Sequence, residues 1–365
     1  MGALIQYFVD HPLAIPLFLL MFTAIIAVHE FGHYLTARLL GMRVLEFAFG
    51  FPPRLAAIRH AGIDYSINAI PFGGFVRILG QDDFAIAQRG AGEQGSFTSK
   101  PWWAQAIVLA SGVFINFVLA VVVLTAAFAM GTSAPTGQIR VDEVAPNSPA
   151  AAAGIQPGDI VRSVDGRPVT KTTDLVAYVT SAARADKEVT LVLERNGREL
   201  PPITTAPRAE PPTGEGPLGI KLGEVTAQVS MPLPQAFGQA LGLTGDVVEQ
   251  IAALPGELIA RPPGAQPPPV GGPIQIFVVT AAVSQLGFAT FLKLVGVISV
   301  NLGVLNIIPF PGLDGGRLFF VLAGALLRRR LSPQVEAAIH AIGFVLLLGL
   351  LVVVSVADIR RATGG

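Results

Sequence analysis

Two histidines four residues apart, with a glutamate after the first, make up the stretch "HEFGH" from His29 to His33. On a helix, residues i and i+4 lie on one face, one turn apart. Two neutral imidazoles so placed can hold a zinc ion. Glu30 then stands beside the metal-bound water, where hydrolysis needs a base. The motif is short, and a helix end with a stray histidine pair spells the same five letters.

The context separates these readings. Pro12 to Val28 carries no charge. A charged side chain at the bilayer centre costs on the order of 3 kcal/mol on insertion scales, so such groups usually serve a function or have a partner. As a helix, Pro12 to His29 rises about 26 Å at 1.5 Å per residue. In a hydrocarbon core of about 30 Å, the pair lies toward one leaflet. A catalytic zinc site wants three protein ligands and a water. Acids at membrane depth are few. "NLGVLNIIPFPGLDGGR" closes a later apolar run and contains Asp314. Pro309 and Pro311 disrupt the helix there. Irregular backbone at that depth is tolerated where it is buried in protein or lines a wet cavity. Alone, Asp314 reads as a turn residue in "LDGG". Beside a histidine pair at the same depth, it reads as the third ligand.

These residues need helices to carry them, and composition supplies them. Of 365 residues, 52% are hydrophobic and 14% charged, against roughly 25% charged in an average soluble protein. The formal net charge is zero, so no bulk electrostatic case exists for nucleic acid. The chain has no cysteine. Disulfides and thiolate sites are excluded, and a metal must sit on His, Asp or Glu, a set that suits zinc. No basic residue precedes Asp10, and the apolar run continues into a polar helix motif. The first segment therefore reads as a retained span rather than a cleaved signal.

Four segments suit the roughly 20 apolar residues a spanning helix needs: 12–40, a stretch within 101–139 opened by Trp102 and Trp103, 288–308 and 339–357. Leu318 to Leu327 is too short to span and reads as a buried or interfacial helix. Arg43, Arg54, Arg59, Arg77, Arg89 and Lys100 follow the first span, and Arg328, Arg329 and Arg330 precede the fourth. The positive-inside rule makes that side cytoplasmic and puts both termini outside. Between spans two and three, 134–207 has a soluble composition. Short β-like runs ("QIRVDEVA", "EVTLVLERNG") alternate with turn signals and one helical stretch ("TDLVAYVTSAARA"). The proline-rich "PPITTAPRAEPPTGEGP" reads as a linker, followed by a helix over 233–254. The expected division is 1–133, a first membrane half; 134–207, a small domain; 208–273, linker and amphipathic helix; 274–365, a second membrane half.

HEFGH in a first span, "VAPNSPAAAAGIQPGDIVRSVDGRPV" in the insert and "NxxPxPxLDGG" in a late span occur in an order that resembles the site-2 protease family of intramembrane zinc metalloproteases. The likeness is greatest to bacterial members that cut anti-sigma factors or remnant signal peptides. It implies a polytopic α-helical membrane protein with a membrane-associated β-hairpin and an inserted α+β PDZ-like domain. It further implies the bacterial cytoplasmic membrane as location and transmembrane-helix proteins as substrates, met within the lipid bilayer. By the same resemblance, Zn2+ sits on His29, His33 and Asp314, with Glu30 as general base. Asn116 matches a family asparagine, either an oxyanion donor or a substrate ligand; an interhelical hydrogen bond is its plainer role. Asn301 and Asn306 match positions that hold unwound substrate. "DYSINAIPFGGFVRILG" resembles the family hairpin, with Pro71, Phe72, Gly73 and Gly74 as its turn and an edge for extended substrate. "FAFGFPP" resembles the loop before it. The PDZ-like domain suits capture of a cut C-terminus or exclusion of bulky substrates.

Two other classes compete. A membrane scaffold with a structural metal needs a fourth protein ligand, and His11, His60 and His340 lie outside the motifs. A metal transporter needs acids or histidines along several spans, and outside the two motifs these spans have almost none.

Overall fold

The computed structural model describes residues 12–81, 93–212, 214–260, 271–329 and 332–363. The chain divides into two compact units: Met1–Met130 with Ser230–Gly365, and Gly131–Val229.

In the first unit, α1 (Ala14–Leu39) carries HEFGH on its C-terminal half. Gly41 ends it. At φ +68° this glycine takes the left-handed conformation, and the Gly41 and Met42 N–H groups turn back to the Arg38 and Ala37 carbonyls. That is the Schellman pattern, which satisfies carbonyls the helix leaves over.

Two long strands follow, β1 (Val44–His60) and β2 (Ile63–Ile78). Each doubles as two. Residues 44–49 of β1 pair with 74–78 of β2 on one side and 64–67 on the other, while 54–60 pair with 63–68. The result is a four-stranded mixed sheet in the order 70–78, 44–49, 63–68, 54–60, in which 44–49 and 64–67 run parallel and 70–78 is an edge. The turn differs from the expected one. Ala61 and Gly62, at φ +49° and +79°, make the two-residue connection, because a hairpin of that length needs positive φ at both positions. Pro71 to Gly74 lie inside β2, where Gly73 at φ +89° bends the strand so that its halves flank β1. "FAFGFPP" is likewise strand, not loop. The buried Glu46 carboxylate ties the four strands together: it accepts from Ser66 Oγ at 2.7 Å and pairs with Arg77 at 2.9 Å and with Arg54.

Next come α2 (Trp102–Met130), α5 (Leu233–Ile259), α6 (Pro273–Ser284), α7 (Phe288–Ile307), α8 (Asp314–Leu327) and α9 (Pro333–Thr363). Segments 14–39, 102–130, 288–307 and 334–361 are long and apolar enough to cross a membrane, by length and composition. Close approaches rest on small residues. A Cβ at Gly32 of α1 would lie 2.6 Å from the Ser111 carbonyl oxygen of α2, and one at Gly296 of α7 would lie 2.7 Å from Leu124 of α2. Membrane helices lack a hydrophobic drive to associate and rely on such fits. α5 packs Ala236, Ala240 and Val247 against α2 and α7. α6 was not among the expected helices: "PIQIFVVTAAVS" is apolar on all sides and shows no 3.6-residue rhythm, although Pro273 at its start is a helix-opening signal.

The second unit holds β3 (Thr132–Val144), α3 (Pro149–Ala152), β4 (Ile160–Val164), β5 (Arg167–Pro168), α4 (Thr172–Arg184), β6 (Val189–Arg195), β7 (Arg198–Glu199), β8 (Ile203–Thr205) and β9 (Ile220–Val229). The sheet order is β7-β6-β4-β3-β9, with β5 on β4 and β8 on β6. Ile139, Val141, Val161, Leu175, Leu191 and Leu193 form its core. This unit outruns the expected 134–207 because β9 pairs along β3, from Thr132 opposite Val229 to Val144 opposite Ile220. The proline-rich stretch loops back within the unit, with Arg208 N–H donating to the Pro217 carbonyl at 2.8 Å.

Asp159 anchors the "QPGD" turn. Its buried carboxylate accepts from Arg195 at 2.7 and 2.8 Å and from the Gln156 N–H at 2.9 Å. Burial pushes its pKa up, but the Arg195 hydrogen bonds and charge outweigh that and hold it below the usual carboxylate range. A depressed folded pKa contributes stability above the unfolded value of about 3.9, lost as pH falls through the folded value. Arg195→Ala strands a buried charge and destabilises this unit by about 3 kcal/mol at neutral pH. Thermal unfolding of the full chain, read by proteolysis within 131–229, tests this. The gap to wild type closes in strong acid; a gap that persists unchanged there refutes the ion-pair account.

Candidate metal centre

His29 and His33 are buried on the α1 face that meets α2. Asp314 is the first residue of α8, and its side chain is 21% exposed. Thus Asp314 opens a helix rather than ending the third span. α7 stops at Ile307, before the two prolines, and the chain re-enters helix at Asp314. An acid in a helix's first turn is favoured by the positive end of its dipole.

The three side chains meet. His29 Nε2 lies 2.9 Å from Asp314 Oδ2, His33 Nε2 lies 3.2 Å from the same oxygen, and the two Nε2 atoms are 3.2 Å apart. Tetrahedral ligands about 2.1 Å from a zinc ion stand about 3.4 Å from one another. The triangle fits such an ion with little adjustment. It is the one group of three metal-ligating side chains among the described residues.

The outer nitrogens support the same use. His33 Nδ1 donates to the Val108 carbonyl at 2.7 Å, which leaves Nε2 deprotonated and facing the triangle. His29 Nδ1 lies 3.2 Å from Asn116 Nδ2, while Asn116 Oδ1 is buried without a partner among the described residues. Amide oxygen and nitrogen are assigned from the hydrogen-bond network. Turning the amide over lets His29 Nδ1–H donate to Oδ1, which satisfies the orphan and readies Nε2 for a metal. Ligating histidines almost always make such a second hydrogen bond.

α2 comes this close because residue 112 is glycine. A Cβ there would lie 2.7 Å from Cε1 of both His29 and His33. Glu30, on the next helical position, sends Oε2 to the Val76 N–H of β2 at 3.0 Å. Gly74 flanks the same carboxylate: a Cβ on it would reach 4.0 Å from Glu30 Cγ. Gly73 is one residue further along the strand, and Phe72 also falls on β2, its side chain outside the described set. Asn301 donates to the Val297 carbonyl of its own helix at 2.8 Å, and Asn306 is half-buried on the last turn of α7. Among the described residues neither is hydrogen-bonded to the triangle; of the asparagines, Asn116 alone is brought to it. Sequence reasoning missed Gly112, Val108 and Val76. The last two act through backbone atoms and have no side-chain signal. Gly112 sits in "SGVFIN", four residues before Asn116, a small residue on the same helix face.

The sequence model of Peptidase family M50 matches residues 17–350. A Clostridium perfringens protein named as a putative zinc metalloprotease is 32% identical over 343 residues, 93% of this chain and 97% of the relative. A Rhizobium meliloti protein with the same description is 34% identical over 373 residues, covering 96% and 97%. Metalloprotease MmpA of Caulobacter vibrioides is 29% identical over 384 residues, 94% of each chain. Matched nearly end to end, this chain belongs to peptidase family M50, the site-2 proteases, which are zinc metalloproteases acting on membrane-embedded proteins.

Proposed function

We propose that the protein cuts single-span membrane proteins, of the anti-sigma-factor or remnant-signal-peptide type, inside the bilayer near its cytoplasmic side. The observation that carries this reading is the triangle of His29, His33 and Asp314, joined across 285 residues at the core of the apolar helices. These three would hold the zinc ion. When bound, zinc supplies a Lewis acid and an activated water at neutral pH. Glu30, next to His29, takes the proton from the attacking water and passes it to the leaving amine. Asn116 steadies His29.

A helical substrate has its own backbone bonds satisfied and must be opened before hydrolysis. The 70–78 edge of this sheet takes over those bonds by strand addition. Gly73 and Gly74 let this strand lie tight on Phe51 and Ala48 of β1 beside Glu30, and Phe72 lies on the same strand. Asn301 and Asn306 lie on the path by which an unwound segment leaves its helix. Leu55 and Ile58, both exposed on the outer strand, suit lipid contact. The basic loops after the first span and before the fourth support a cytoplasmic position for the HEFGH end in a bacterial inner membrane. Both termini and the 131–229 unit then lie outside. In that unit β9 pairs on one side only, and a strand added to its free edge is how a PDZ-like domain would hold a peptide.

The test is to map the products. Purified protein incubated in lipid with a single-span reporter yields fragments whose masses place the cut within the hydrophobic segment, in its cytoplasmic half. Cuts confined to soluble flanks refute the reading.

A further inference from the structure

The segment between α7 and α8, residues 308–313, has to deliver Asp314 to two histidines on another helix. Its own bonds are few. Phe310 N–H donates to the Ile308 carbonyl at 2.7 Å, and Leu313 N–H donates to the Phe310 carbonyl at 3.1 Å. Pro309 and Pro311 have no N–H. Ile308 N–H donates back to the Leu305 carbonyl at 3.3 Å, and the remaining donor is the N–H of Gly312, a residue held at φ +97°. It donates to His340 Nδ1 of α9 at 2.9 Å.

α9 is shaped around this turn. A Cβ at Gly343, one helical turn beyond His340, would lie 2.5 Å from the Pro311 carbonyl carbon, and one at Gly312 would lie 3.1 Å from the Phe344 backbone nitrogen. Turn and helix touch backbone to backbone. The His340 ring is buried and meets the Phe320 ring edge-on, with centroids 5.5 Å apart. Because Nδ1 accepts, the ring proton sits on Nε2, which is buried without a partner among the described residues. The fold therefore leaves one polar atom unsatisfied to keep the other on the turn. A purely space-filling residue would be apolar here, since a buried N–H left without a partner is destabilising.

We propose that His340 is a positioning residue for the metal centre: by holding the Gly312 N–H, the last membrane helix sets where Asp314 stands relative to His29 and His33. Only Leu313 separates Gly312 from Asp314, so a shift of the turn reaches the carboxylate directly. The assignment rests on Asp314 being a zinc ligand. It gives α9 a part in the site although no side chain of α9 belongs to the triangle.

Two substitutions of similar size and polarity test it in the zinc-loaded full chain. Asn at 340 puts its Oδ1 where Nδ1 stands; Gln puts its oxygen where Nε2 stands. In excess chelator, H340N releases zinc within about twofold of the wild-type rate, and H340Q releases it about tenfold faster, the lower end of what loss of a metal site's supporting contact costs. The visible spectrum of the cobalt-substituted protein changes in H340Q and keeps its wild-type shape in H340N. Equal release rates and matching spectra for the two variants overturn the proposal. Asp314→Ala, measured alongside, separates the failures. Zinc kept in that variant removes the ligand reading itself. Zinc lost there, with the two His340 variants alike, removes only the role of His340.

Discussion

Glu30→Gln abolishes cleavage of a single-span reporter and leaves one zinc ion bound per chain. Glutamine keeps the shape of the side chain, and its amide oxygen can still accept the Val76 N–H that now reaches Glu30 at 3.0 Å. What it lacks is a lone pair basic enough to take a proton. General-base catalysis is worth typically 10²–10⁴-fold, so the rate falls by about 10³-fold. The metal stays because Glu30 is not among the three converging side chains. Reporter cleavage and metal content, measured on the same preparation, decide the matter. Cleavage by the variant at the wild-type rate would falsify the base assignment.

The second large effect is on the metal. Asp314→Ala removes the one oxygen that approaches both histidine Nε2 atoms, at 2.9 and 3.2 Å. Two imidazoles on one helix face remain. Loss of an outer-sphere partner costs 10–100-fold in metal affinity, and loss of a direct ligand exceeds that range of about 100-fold. The purified variant should therefore carry well under one zinc per chain after dialysis, with no cleavage activity. Stoichiometric zinc in the variant would remove Asp314 from the ligand set. The pair of variants also separates two defects: Glu30→Gln binds zinc without turnover, and Asp314→Ala fails at binding.

The chemistry was legible because its letters are rare in these surroundings. Histidine and acid seldom occur in apolar helices, so His29, His33 and Asp314 stand out against their flanks. The spans were legible for the same reason, and the observed 14–39, 102–130, 288–307 and 334–361 overlap the expected segments. The hairpin turn was misplaced. "PFGG" has the composition of a turn, yet pairing placed it inside β2 and gave the reversal to Ala61–Gly62. Glycine marks freedom of backbone, and a kink uses that freedom as readily as a turn does. The end of the inserted unit was missed because prolines at 201–217 read as linker, while the partner of β9 lies about 80 residues back along the chain, on β3.

The sequence by itself determined which residue types could do chemistry here, how many helices could cross a membrane, and that any metal must sit on imidazole and carboxylate. These follow from composition and from periodicity within one helix, which are local properties. Only the tertiary structure decided what holds those residues in place. Val108 and Val76 act through backbone atoms, Gly112 by having no side chain, and His340 through a turn nearly thirty residues away in the chain. Their contributions depend on which surfaces meet across helices. No pattern of letters records that, because the same glycine or histidine is inert until a neighbouring helix comes within van der Waals or hydrogen-bond reach.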